Sequence, residues 1–233
     1  PTVIQDENER LIAAFQWFSC EADEEAFDKV AVSFSEDDGE TWSDPEPIVV
    51  EGFPEDYQRP FDPTLALLED GRIRMYYTSN SQGISTFGDD TNIYSAISED
   101  GINYTFEEGV RFDLDGLPAY DCAVGYWDEL WHIVTPNNTP VNLAGAHHAS
   151  STDGLIFTQT DDLTSEEVNW TCNFLAKEDG LYFYGTSGKD GNWFIKTDGV
   201  TWEDPEFLQI HGGDPAVSCI GDRCFAITVQ MPR

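Results

Sequence analysis

Positive charge is scarce in this sequence: 11 lysines and arginines stand against 45 aspartates and glutamates in 233 residues, a net charge of −34. A chain so acidic is repelled by the nucleic-acid backbone and by an anionic membrane surface, which excludes both as partners. Long apolar runs are missing as well. No stretch reaches the roughly 18 apolar residues of a membrane-spanning helix. The chain opens Pro1-Thr2-Val3 with no basic, apolar and small-residue leader, so any signal peptide is expected to have been removed or to lie outside it. Helical periodicity at i, i+3 and i+4 is almost absent.

What is present is core-forming material, with 40% apolar and 13% aromatic residues, which argues against intrinsic disorder. The acidic excess sets the folded chain against itself, since two charges about 4 Å apart interact by about 1 kcal/mol in water. Salt screens such repulsion over about 8 Å at physiological ionic strength. Two settings fit equally: a salty habitat or bound cations, and an ordinary acidic secreted protein.

Five cysteines are an odd number. Cys219 and Cys224 bracket Ile220-Gly221-Asp222-Arg223, a tight turn between two apolar runs, and are expected to form a disulfide. Cys122 and Cys172 hold the same place in successive repeats and are either neighbours or simply buried thiols. Cys20 has no evident partner, and the spacings do not resemble a zinc site. Asn-x-Ser/Thr triplets at Asn103, Asn137 and Asn169 fit an extracellular chain.

The chain repeats itself. One unit is an apolar run, a polar turn and a second run rich in aromatic and β-branched residues: DPTLALLEDGRIRMYYTS from Asp62, DCAVGYWDELWHIVT from Asp121, TCNFLAKEDGLYFYGTS from Thr171 and DPAVSCIGDRCFAITV from Asp214. The opening PTVIQDENERLIAAFQ fits the same frame from its second position. Each copy reads as two strands joined by a short turn. A second unit follows four of these five: SEDDGETW from Ser35, SEDGINY from Ser98, STDGLIF from Ser151 and TDGVTW from Thr197. There a strand ends in a small hydroxyl residue, Asp and Gly make the turn, and an aromatic opens the next strand. Four strands per unit at this spacing indicate an all-β fold, a single β-propeller domain over residues 1–233. Five first-and-second-strand pairs against four third-and-fourth-strand pairs predict five blades with an incomplete last blade. The chain is then expected to be truncated or processed, or to take its missing strands from a partner or a second copy.

SEDDGETW resembles the Asp-box of sialidases and related propellers. SEDGINY and TDGVTW, together with DPTLALLEDGRIRMYYTS, resemble the five-bladed glycoside hydrolases of the arabinanase/β-xylosidase and invertase groups. That resemblance spans nearly the whole chain as a blade pattern, and it implies a carbohydrate substrate or ligand at the central channel. It also implies a base Asp in the first blade, a pKa-modulating Asp in the second and an acid Glu in the third. Asp62 matches the second of these. The first would fall immediately before Pro1, and Asp121 stands where the Glu is expected, so the pattern departs from the family at two of its positions.

First strands of propeller blades line the channel, so Asp62, Asp121 and Asp214, at equivalent positions of three of them, are the candidate catalytic carboxylates. Glycosidic cleavage needs such a set, one acid for the leaving oxygen and one base or nucleophile opposite it. The bland alternative is that they cap strand ends or hold a channel cation such as Ca²⁺, which prefers oxygen ligands; no cofactor is required. Arg59, in Tyr-Gln-Arg-Pro, resembles the arginine motif with which sialidases grip a carboxylate, but Arg111, Arg223 and Arg233 do not complete that set in so short a chain. Arg59, His147, His148 and Trp127 are candidate sugar contacts. Adjacent histidines on a strand face opposite ways, so His147 and His148 are not a shared metal site. Trp17, Trp131, Trp170 and Trp193 also lie outside the turn motif and are equally stacking platforms or interblade packing. Two functions follow: a glycosidase-like enzyme acting on a polysaccharide or oligosaccharide, and a non-catalytic carbohydrate-binding or assembly-forming propeller with a channel cation. An extracellular or secreted location suits both.

Overall fold

In a computed structural model, residues 1–17, 29–81, 90–137, 145–164, 170–187 and 191–230 are described. The chain divides into two compact units, Thr2–Tyr120 and a second made of Pro1 with Asp121–Arg233. Cys20 and Asn169 lie outside the described residues.

The first unit holds two sheets. One is a meander of β1 (Thr2–Gln5), β2 (Leu11–Trp17), β3 (Lys29–Ser35) and β4 (Glu46–Pro47). The other takes β5 (Val49–Glu51), β6 (Phe61–Leu67), β7 (Ile73–Asn80), β8 (Thr91–Ser98) and β9 (Asn103–Phe112) in the order β5-β9-β8-β7-β6. The repeat did not reveal β5, which pairs parallel to the outer strand β9 through Val49 to Glu51. The two sheets stack on a shared core of Ile12, Val30, Leu65, Met75, Tyr77, Tyr94 and Tyr104. Alternation explains it: Ile73, Met75 and Tyr77 point into that core, while Arg74, Tyr76 and Thr78 take the opposite face of β7. Every residue of β7 is buried, as expected of a strand covered on both faces.

The second unit repeats the plan. β10 (Ala123–Trp127), β11 (Leu130–Pro136), β12 (Ala146–Ser151) and β13 (Thr158–Gln159) form one meander. A second follows with β14 (Trp170–Lys177), β15 (Gly180–Ser187), β16 (Gly191–Thr197) and β17 (Glu206–Leu208). β18 (Gly213–Ile220) and β19 (Arg223–Val229) stand as a two-stranded sheet. Ala123, Val134, Phe174, Leu181, Phe183, Trp193 and Ile195 fill the core between the two meanders. The described residues hold no helix, and stacked antiparallel meanders of this kind are the blades of a β-propeller. Four sheets have four or five strands, so the fifth strand pair is present but does not make a full blade of its own among the described residues.

The turns are built as the sequence demands. Asp128 and Glu129 both have positive φ, 50° and 64°, the mirror-image geometry that matches strand twist in a two-residue hairpin. In SEDDGETW, Ser35 Oγ donates to Asp37 Oδ1 (2.9 Å) while the Thr41 amide and hydroxyl donate to the same carboxylate (2.8 and 2.6 Å). SEDGINY repeats the arrangement around Asp100. Burial pushes that carboxyl up, but hydrogen bonds from the Asn103 side chain and from the amides of Asn103 and Ile102 outweigh it and hold it at about 2. The disulfide joins Cys219 to Cys224 as expected, and Cys122 and Cys172 are buried thiols without a bridge between them.

Gly185 shows how tightly one blade closes. It lies opposite Trp193, and a Cβ there would sit 2.1 Å from the indole Cζ2 and 2.4 Å from the Trp170 carbonyl. Trp193 is fully buried, so it has no room to retreat. Gly185→Ala is expected to destabilise the protein by about 1–3 kcal/mol through overpacking, read as a lower urea midpoint at unchanged slope.

Candidate functional site

The three candidate aspartates share one uncommon backbone state. Asp62, Asp121 and Asp214 have φ of 51°, 48° and 49°, the left-handed region that few residues other than glycine enter. Each stands at the head of a first strand. At Asp62 the β6–β7 register passes from Phe61↔Thr78 to Thr64↔Tyr76, one extra residue on the first strand. At Asp214 it passes from Gly213↔Val229 to Ala216↔Ile227, the same one-residue bulge. Left-handed non-glycine residues cost on the order of 1 kcal/mol or more and persist where the surroundings hold them in place. The bulge re-aims the side chain at the strand entrance; at these two heads it holds an aspartate, and the bulge at the head of β14 holds Cys172.

In the second unit, two of these aspartates stand at strand heads on either side of one strand. First strands β10, β14 and β18 lie side by side, so Asp121 and Asp214 flank the head of β14. Cys172 stands there, buried. Burial raises its thiol well above the ordinary range, and the negative charges of Asp214 and then Asp121 raise it further. The thiol is therefore protonated and inert at neutral pH. Asp62, in the first unit, holds the same place in its own sheet.

Side chains lock these strand heads. Thr171 Oγ1 donates to the Asp121 carbonyl, and the Asp214 amide donates to Thr186 Oγ1 at 3.4 Å. Asn173 ties β14 to β18 by imitating a backbone: its Nδ2 donates to the Val217 carbonyl (3.0 Å) and its Oδ1 accepts from the Val217 amide (2.9 Å). Sequence reasoning passed over Asn173; the available signal was an amide inside an otherwise apolar strand run. In the first unit Gln58 tethers the segment before Asp62 to the end of β7, through the Asn80 side chain (2.6 Å) and carbonyl (2.9 Å). Arg59 follows it, exposed and three residues from Asp62.

The other candidates are engaged within their blades. Trp127 donates Nε1–H to the Lys177 carbonyl (3.2 Å) and packs on the core of the second unit. His147 and His148 take opposite faces of β12, as alternation requires. His147 Nδ1 meets Asp162 Oδ2 at 3.0 Å. His148 is 2% exposed, with its ring stacked on His132, centroids 5.4 Å apart, and the Trp202 edge against it. Thr160 Oγ1 donates to the His148 carbonyl (3.1 Å), so His148 Nδ1 donates to Thr160 (2.7 Å) and its Nε2 accepts from His132 Nδ1 (3.1 Å). Gly199, in the TDGVTW turn, closes over the pair, and a Cβ there would come 2.7 Å from His132 Cε1.

A buried ionic cluster in the first unit also escaped sequence reasoning. Arg74 makes two bonds to Glu107 (2.7 and 2.9 Å), and Arg111 reaches Ser95 Oγ (2.7 Å) and the Glu107 and Glu108 carbonyls. Among the described residues no three His, Cys, Asp or Glu side chains gather as ligands for one metal ion. Nor is any helix there long and apolar enough to cross a membrane.

Neither a family model nor a curated protein matches the sequence. Solved structures do match by fold. A family 117 glycoside hydrolase of the marine bacterium Zobellia galactanivorans has a TM-score of 0.64 at 15% identity, over 81% of this chain and 58% of that one. An α-L-arabinofuranosidase of Clostridium thermocellum gives 0.65 at 12% identity, over 97% and 80%. An exo-β-1,3-galactanase of Phanerochaete chrysosporium gives 0.58 at 13%, over 88% and 48%. This chain thus spans little more than half the length of the first. The shared property is the all-β propeller fold.

The histidine pair makes a pH prediction. Burial chiefly, and then the neighbouring His132, hold His148 at about 4 against an ordinary 6.5, with Asp162 opposing; burial lowers His132 too. The folded value lies below the unfolded one, so the unfolded chain takes up the proton first. Stabilisation is complete above about pH 6.5 and is lost as pH falls through about 4, by on the order of 3 kcal/mol for His148. Urea midpoints between pH 7.5 and 4.5 should fall for the wild type and flatten in His148→Gln. Equal slopes in the two proteins would exclude the pair as the cause.

Proposed function

We propose that this protein is a glycoside hydrolase-like propeller acting on a polysaccharide or oligosaccharide, with Asp121 and Asp214 as working carboxylates. The observation that carries this reading is the repeated left-handed aspartate at the strand heads, a strained position occupied each time by the group that acid–base cleavage requires. Asp62 has the same stereochemistry and takes the modulating role that the resemblance gives it. Exposed Arg59, three residues before Asp62, is assigned to a substrate hydroxyl or carboxylate. The fold neighbours' names, an arabinofuranosidase and an exo-β-1,3-galactanase, supply the first substrates to try. We read the SEDDGETW turn as an Asp-box, β18–β19 as the first half of a fifth blade, and the disulfide with the acidic composition as marks of an extracellular protein.

A second reading, a carbohydrate-binding propeller with a Ca²⁺ ion, draws on one observation. Asp121 is a methylene shorter than the Glu expected of the acid. Rates on chromogenic α-L-arabinofuranosides and on β-1,3-galacto-oligosaccharides separate the two. Asp121→Asn and Asp214→Asn should each lower the rate about 10²- to 10⁴-fold, the range for a general acid or base, and Asp62→Asn should lower it as well. Background rates in wild type and all three variants would remove the catalytic role. Calorimetric sugar binding that EDTA abolishes and Ca²⁺ restores would then establish the binding module.

A further inference from the structure

Three buried oxygens of the first unit, Tyr77 Oη, Asp90 Oδ2 and Asn92 Oδ1, meet no hydrogen-bond partner among the described residues. The strand register gathers them. Across β7 and β8, Tyr77 pairs directly with Tyr94 and Ser79 with Asn92. Asp90 immediately precedes β8, and Asn92 Nδ2 donates to its carbonyl at 3.2 Å. Alternation puts Asn92 on the face of β8 that carries Tyr94, and both tyrosines belong to the core between the two sheets. Their rings stack with centroids 6.5 Å apart, and Tyr57 lies edge-on to Tyr94 at 5.4 Å. Gln16 enters the same layer from the other sheet, on the face of β2 that carries Ile12 and Ala14, and its Oε1 is buried.

The chemistry of this corner is one-sided. The Asp90 carboxylate and the Asn92 amide carbonyl offer oxygens that only accept, and one of them carries a negative charge. Burial first, and then Tyr57, push the Tyr94 hydroxyl up to about 12; Asp90 adds to the rise, which puts its carboxylate within electrostatic reach of that hydroxyl. Burial raises Tyr77 as well, so both phenols stay neutral at physiological pH. Arg74 and Arg111 are engaged on the opposite face of the sheet, through Glu107 and Ser95. An acceptor buried without a donor is costly, a charged one more so, and a single metal ion satisfies several at once.

We infer that this corner, Asp90 Oδ2 and Asn92 Oδ1 with the Tyr77 hydroxyl, binds a hard metal cation, Ca²⁺ or Na⁺, between the two sheets of the first unit. Such ions take carboxylate, amide and water oxygens in flexible geometry. The set holds one carboxylate beside neutral oxygens, so no gathering of His, Cys, Asp or Glu marks it. Low ligand charge sets a weak affinity, about 10⁻⁴ to 10⁻³ M for Ca²⁺. β8 lies two strands out from β6, so the site is separate from the aspartates at the strand heads. The inference stands whether or not the protein cleaves sugars.

The test titrates CaCl₂ and, separately, NaCl into metal-stripped protein, with ionic strength held by tetramethylammonium chloride. The Asn92 side-chain amide is followed by NMR, alongside the melting temperature. At least one ion should shift that amide saturably and raise the melting point by a few degrees, and the ion that saturates at lower concentration is the ligand. Asp90→Asn should weaken binding about tenfold or more, while Glu178→Gln, an exposed acid of the other unit, leaves it unchanged. Asn92→Asp, read by melting, keeps the test open should Asp90→Asn not fold. Its second carboxylate should lower the melting point without Ca²⁺ and tighten Ca²⁺ several-fold. An amide that moves with neither ion, or moves alike in Asp90→Asn, overturns the inference and leaves the three oxygens to buried water. Ca²⁺ bound no more tightly by Asn92→Asp overturns it as well. Loss of the effect in Asp62→Asn but not in Asp90→Asn would place the ion at the strand heads and equally overturn it.

Discussion

Double-sided burial of the second strands governs this molecule. β7 is buried along its whole length and β11 almost so, because each carries apolar or aromatic side chains toward one neighbour and packed polar ones toward the other face. A strand of that kind cannot stand at a surface, so each sheet needs another stacked on it. Ile73, Met75 and Tyr77 meet the side chains of β2 and β3, and Phe183 and Trp193 meet Ala123 and Val134. A fully buried aromatic such as Trp193 contributes on the order of 3 kcal/mol by burial alone. The turns then need only guide the chain, and the Asp and Gly residues that follow Ser35, Ser98, Ser151 and Thr197 do so with a few carboxylate–amide bonds.

The strand heads inherit their position from that stacking. First strands are brought side by side by the sheets behind them, and a bulge at the entrance turns one side chain out of the ladder. The bulge holds an aspartate at the heads of β6 and β18 and Cys172 at the head of β14, and in the second unit Asp121 and Asp214 flank that buried thiol. Asn173 and Thr171 hold this geometry with bonds that span separate strands, which gives the carboxylates a fixed rather than a mobile frame. Fixed polar groups at a site of charge development are what catalysis uses, and equally what a tight polar ligand needs.

Acidity shapes the edges as well as the surface. Most outer strands end early and carry a carboxylate or lie beside proline, which keeps such sheets from joining one another. β19 is longer, seven residues with no proline and a single charge, Arg223.

By itself the sequence determined the strand pairs, the turn motifs, the disulfide and the propeller class. All of these are local: alternation sets strand faces, Asp and Gly set turns, and two cysteines five residues apart across a hairpin are forced into contact. It also singled out Asp62, Asp121 and Asp214, because repetition makes equivalent positions visible without coordinates. Only the tertiary structure decided their left-handed backbone, the flanking of Cys172 by Asp121 and Asp214, the stacking of His148 on His132, and the parallel addition of β5. Those depend on which sheets lie against each other and in what register, and a residue's own neighbours in sequence carry no record of partners 16 or 50 positions away.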